Sequence, residues 1–209
     1  MGRASPRLRG GTVNARICKT IGYQLCKPAR CRYPVSPTRS PGIYSSKYAE
    51  LPDTFIVDQL SDVTLIQRYR IVGEELMRQN ENISAITVGA GSAASAMGIA
   101  LATKDKRIPV YVVEPAEAPV LSGKPWQPHG IPGLAPPIPT KLFQREWVAD
   151  ILLVDSETAL RTAQQTLQAT GEPVGTSSGA AIAAARQLHR RGIRGDIVSV
   201  CQSHLAISL

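Results

Sequence analysis

The 209-residue chain has no run near the roughly 20 consecutive apolar residues of a membrane span, which argues against a helical membrane protein. No acidic residue occurs in positions 1–49, which hold ten Lys and Arg. The other 160 residues hold 14 Lys and Arg against 16 Asp and Glu. The formal net charge of +8 therefore lies in the head, and the body is slightly acidic. Aromatics make up only 5% of the chain, and Tyr23 and Tyr33 are too few to give the basic head a base-stacking platform. Cysteines are few as well. Cys18, Cys26 and Cys31 are spaced C-x7-C-x4-C, which lacks the short pairs of a zinc site. Cys201 closes an apolar run and reads as a small buried side chain. These absences disfavour nucleic-acid, membrane and structural-metal roles and point to a reducing compartment. The expected location is the cytoplasm, or an organelle if the head is a transit peptide.

The head supports three readings, in this order: a poorly ordered leader without a role, a transit peptide, and a nucleic-acid arm. It is not a secretory signal, because no apolar stretch of roughly 7–15 residues follows the basic start. Pro28 to Pro52 is rich in Pro and Ser and reads as linker. The expected organisation is a basic head over 1–52 and a single domain over 53–209.

Within that domain, apolar runs alternate with helical periodicity. Phe55-Ile56-Val57 is a short apolar run. Leu65, Tyr69, Val72 and Leu76 fall on one helical face. Strands are expected at 84–88, 109–113, 151–154 and 197–200, and helices over 93–102, 156–169 and 180–189. Ser156 reads as an N-cap and Gly171 as a stop. Residues 115–140 form a long Pro- and Gly-rich loop, a length that is usually functional or disordered. The alternation implies an α/β fold of three layers, a mostly parallel sheet with helices on both faces.

Gly89-Ala90-Gly91-Ser92-Ala93-Ala94 stands between a strand and a helix. Such a turn aims backbone N–H groups and the positive end of the helix dipole at one point, which suits a phosphate. The pattern fits G-x-G-x-x-G/A, and Glu114 ends the next strand 25 residues after Gly89. That is near the place of the acidic residue that holds a dinucleotide's ribose. An NAD-binding domain is therefore one reading. A purely steric glycine turn is another of equal weight.

Two later segments change the balance: VEPAEAPVLSGKPWQPHGIPG (113–133) and PVGTSSGAAIAAA (173–185). Together with the glycine turn they resemble the cysteine synthase and cystathionine β-synthase branch of the fold-type II pyridoxal-phosphate (PLP) enzymes. That branch shows V-E-P, then S-x-V-L-S-G-G-x-P-G-P-H-x-I-Q-G, then G-x-S-S-G-A. Ser122-Gly123, Pro125, Pro128-His129 and Ile131-Pro132-Gly133 fall into that register. The resemblance runs from about Asp53 to Val200 and implies a tryptophan synthase β-like fold.

It also implies that the turn Gly89, Ala90, Gly91, Ser92 and Ala93 stands where the family's G-T-G-G-T loop cups the PLP phosphate. Both threonines are gone, so hydroxyl donors are lost, although Ser92 can replace one. The expected site is weakened rather than absent. Ser177 maps to the family's pyridine-nitrogen partner, and by position it also reads as an N-cap. A neutral hydroxyl there leaves the nitrogen unprotonated and suits β-elimination and β-replacement. The family reaction joins an activated serine, O-acetylserine, to sulfide.

Other family features have no counterpart. The Schiff-base lysine lies in S-x-K-D-R, and Lys47, only 42 residues before Gly89 in a Pro/Ser stretch, does not match it. The T-S-G-N-T loop and the D-x-G-x-R-Y ending are also missing. The chain is therefore expected to be inactive alone. Its partners would be an amino-acid substrate if active, and a second copy or a complementing chain. A non-catalytic remnant or interaction protein that binds PLP or phosphate is the alternative. His129 reads as a loop-positioning residue ahead of an acid/base or ligand role.

Overall fold

The computed structural model describes residues 17–19 and 58–203. The rest of the basic head, Lys47 and the Phe55-Ile56-Val57 run lie outside the described residues. Five strands form one parallel sheet: β1 (Ile17–Lys19), β2 (Ile83–Gly89), β3 (Val110–Pro115), β4 (Asp150–Val154) and β5 (Asp196–Cys201), in the order β1-β5-β2-β3-β4. Among the described residues four α-helices accompany them: α1 (Thr64–Gln79), α2 (Ala94–Thr103), α3 (Ser156–Thr170) and α4 (Thr176–Arg190).

The central strands are nearly continuous apolar runs because both faces are covered. Ile86, Val88, Val112, Val198 and Val200 pack against α1 and α2 with Met97 and Ile99. Ala85, Val113, Leu152 and Ile197 face α3 and α4 with Ala184 and Leu188. These are the three layers expected from the alternation. Ile66 and Gly73 are buried beside Leu76 on α1, while Leu65, Tyr69 and Val72 are only partly covered. Strand β1 had no sequence signal; a three-residue edge strand is specified by backbone pairing with Ser199–Cys201.

Two helix starts differ from expectation. The N-cap of α3 is Asp155, whose carboxylate accepts the Thr158 amide at 2.7 Å. Ser156 is the first helical residue, and its hydroxyl accepts the Gly130 amide at 2.7 Å. Helix α4 begins at Thr176, four residues before the expected start. The Gly175 carbonyl accepts the Gly179 amide at 2.9 Å and opens the ladder. Ser177 is thus inside the first turn and is not the N-cap.

Strand β2 has β3 on one side and β5 on the other, and β5 arrives last in the chain. The order of the sheet therefore reverses between β2 and β5. In open α/β sheets the crevice at the carboxyl ends of strands flanking such a reversal is where ligands sit. The loops after β2 and β5 both reach this end. No helix among the described residues is long and apolar enough to cross a membrane.

Candidate functional site

The glycine turn leaves the carboxyl end of β2 and enters α2. Gly89 is the last residue of the strand. Ala90 is locked by its backbone, donating to the Val113 carbonyl and accepting the Ala135 amide, both at 3.0 Å. It holds the turn and offers no free donor. Gly91 passes so close to the following loop that a Cβ there would lie 2.3 Å from the Gly133 carbonyl oxygen. Only glycine fits that approach. Ala93 is the N-cap of α2 in the left-handed region, at φ 65°, with no side-chain cap. For a residue with a Cβ this costs roughly 1 kcal/mol, and such strain gathers at binding turns.

The result is a set of open donors. The amides of Gly91, Ser92 and Ala93 have no partner among the described residues, and they stand at the N-terminus of a ten-residue helix. Ser92 accepts the Ala94 amide at 3.4 Å through Oγ, which leaves its hydroxyl proton unspent. Thr140 secures the turn from behind by donating to the Ser92 carbonyl at 2.6 Å. Unpaired amides at a helix N-terminus are the donor set that a phosphate takes.

Ala90 and Gly91 line a cleft of about 360 Å³ whose other wall comes from the 120–143 loop. That volume is within the range of small-molecule sites. Lys124 supplies a cation at its rim, and Trp126, Pro136, Ile138 and Phe143 supply apolar surface. The sequence reading missed Lys124 and Trp126, since only the fold brings the long loop back over the turn. Trp126 is fixed by its Nε1–H, which donates to the Ala135 carbonyl at 2.9 Å. His129 also positions this loop. Its Nδ1 accepts the Ile131 amide at 3.3 Å, and its Nε2 faces the Ala135 carbonyl at 3.4 Å.

Glu114 is fully buried, and it is not available to a ribose. Its carboxylate accepts the amides of Leu121 and Ser122, at 2.8 and 3.1 Å, and the Ser122 hydroxyl. It closes the turn that opens the loop. Burial raises its pKa above the ordinary 4.5, against the lowering effect of those hydrogen bonds. Glu117 has the opposite balance. Burial acts to raise its pKa, but hydrogen bonds led by the Ser156 amide at 2.8 Å bring it below 4.5.

Ser177 lies in the first turn of α4 and is joined to the same end of the sheet by the residues after β5. Its Oγ is 2.7 Å from Ser203 Oγ. The neighbouring Gln202 donates to Ser95 Oγ in the first turn of α2, at 2.8 Å. One dipeptide thus ties the two helix N-termini together. The turn from Gly89 to Ala93 holds no threonine, so what it offers is chiefly backbone donors. The open amides and the half-buried Ser177 are the chemistry that a phosphate ester on a ring nitrogen heterocycle needs, so the residues present fit PLP.

Known proteins resemble the chain in sequence and in fold. Cysteine synthase 3 of Caenorhabditis elegans is 33% identical over 146 residues, covering 68% of this chain and 43% of that protein. Cysteine synthase of Haemophilus influenzae is 35% identical over 127 residues, covering 56% of this chain and 40% of that protein. Among solved structures, O-acetyl serine sulfhydrylase isoform 3 from Entamoeba histolytica superposes with a TM-score of 0.72 at 28% identity, over 78% of this chain and 50% of that one. The chain spans half or less of the length of these relatives. Residues 35–203 match the family described as pyridoxal-phosphate dependent enzyme, and the chain belongs to that family.

Proposed function

We propose that residues 58–203 form the cofactor-holding part of a cysteine synthase-like protein. The open amides of Gly91, Ser92 and Ala93 take the PLP phosphate, and Ser177 faces the pyridine nitrogen. The observation that carries this reading is the set of three unpartnered amides at the N-terminus of α2, beside a cleft of fitting size. When bound, PLP supplies the electron sink for β-replacement on an activated serine. The protein groups seat its phosphate, leave its ring nitrogen unprotonated, and cover it with the Trp126 loop.

The described residues do not supply the lysine. Lys19, Lys104, Lys106, Lys124 and Lys141 have no S-x-K-D-R setting. On this reading the described residues hold PLP, and turnover waits for a lysine from outside them and for a partner that covers the site. Val63 and Ile71, exposed by 65% and 62%, support such a covering partner.

The test is to titrate the purified chain with PLP, follow tryptophan emission, reduce with borohydride and map the peptides. Saturable quenching with no stoichiometric pyridoxyl-lysine is expected. Absence of PLP binding would remove the reading. A single fully modified lysine, Lys124 above all, would overturn the claim that the lysine is supplied from elsewhere.

A further inference from the structure

Lys124 stands in the cleft beside the glycine turn without a counter-charge. Among the described residues it is the only ionisable one that lines the cleft, and the other side chains there are apolar apart from Thr140. No carboxylate among the described residues pairs with its ammonium. The backbone beneath it is fixed. The Lys124 amide donates to the Pro119 carbonyl and the Gly123 amide to the Val120 carbonyl, both at 3.1 Å. Gly123 takes the left-handed conformation, at φ 81°, within this turn. The buried Glu114 carboxylate holds the preceding residues through the Leu121 and Ser122 amides.

Two residues further on, Trp126 donates to the Ala135 carbonyl, and the Ala135 amide bonds to Ala90 of the glycine turn. The segment that carries Lys124 is therefore stitched to the turn that carries the open amides. The sequence adds an independent point. In the register of the S-G-G motif, Ser122 and Gly123 keep the first two positions and Lys124 replaces the second glycine. This chain thus places a cation where the family pattern has no side chain.

We infer that Lys124 is the cationic arm of the phosphate subsite. Its ammonium, with three donors and a full charge, pairs with the phosphate that the amides of Gly91, Ser92 and Ala93 seat. The backbone fixes where the phosphate lies, and Lys124 supplies the charge that favours an anion over a neutral group. Paired in this way, Lys124 stays protonated and does not act as a nucleophile. This rests on the reading that the open amides hold the cofactor phosphate.

The test uses pyridoxamine 5′-phosphate and pyridoxamine, which carry an amine in place of the aldehyde and form no bond with a lysine. Calorimetry gives their affinity ratio at low and high salt, for the unaltered chain, Lys124→Met and Lys124→Arg. Lys124 is exposed, so these substitutions spare the fold. The unaltered chain is expected to prefer the phosphorylated ligand. Lys124→Met should lose about tenfold of that preference, the factor one charge-assisted hydrogen bond supplies, and Lys124→Arg should keep it. Added salt should lower the preference more in the unaltered chain than in Lys124→Met. Full preference with the same salt dependence in Lys124→Met would overturn the role of Lys124 and leave the amide site standing. Equal weakening of both ligands in Lys124→Met would also overturn it, since a contact to the ring does not distinguish them. No preference in the unaltered chain would overturn the amide site itself.

Discussion

Single side chains decide how this fold answers to pH. Asp155 caps α3 with its pKa held below the ordinary 3.8, chiefly by the bond from the Thr158 amide. Its contribution is present above 3.8 and is lost as pH falls through the lower folded value. Asp155→Ala should cost about 1 kcal/mol at neutral pH, the usual worth of a cap, and almost nothing in strong acid. Thermal melts at the two pH values check this, and an equal loss at both would contradict it. Glu114 behaves in the opposite sense. Its folded pKa is raised above 4.5 by burial, so its contribution is full below 4.5 and declines as pH rises through the folded value. Glu114→Gln should remove that decline, leaving a flatter stability profile in urea melts across the range. Profiles that run parallel would rule out Glu114 as its source.

At the scale of elements, strands β2 to β5 were legible because β-branched runs such as Val110-Tyr111-Val112-Val113 have few alternatives to a buried strand. The start of α4 was not, for a physical reason. Thr176-Ser177-Ser178-Gly179 reads as a turn, yet Gly179 is helical, and a Cβ there would lie 2.2 Å from the Ala159 carbonyl oxygen. The glycine serves the contact between α3 and α4, and a single sequence does not distinguish that use from a turn. Gly179→Ala should therefore destabilise the chain despite the gain of roughly 1 kcal/mol in helix propensity. A rise in melting temperature would contradict this packing. The candidate site was legible in part for the same kind of reason. The turn from Gly89 to Ala93 and Ser177 showed in local pattern and family register. Lys124, Trp126 and Ser203 depend on contacts across many residues, such as Trp126 with Ala135 and Ser203 with Ser177.

The whole molecule places the N-termini of α2 and α4 at one end of a parallel sheet, where its strand order reverses. That arrangement gathers two helix dipoles and a set of open amides beside an apolar cleft. It also leaves apolar side chains such as Ile71 exposed on α1. A chain that requires a covering partner should associate with rising concentration in sedimentation experiments, and Ile71→Glu should weaken that association. A strict monomer at every concentration would count against a second copy as the partner. The central claim is that the open amides of Gly91, Ser92 and Ala93 seat a phosphate. Its most direct test is the affinity for PLP set against pyridoxal, which is the same ring without the phosphate. Two or more charge-assisted hydrogen bonds should favour PLP by about a hundredfold or more. Equal affinity for the two, or no binding of either, would contradict the account.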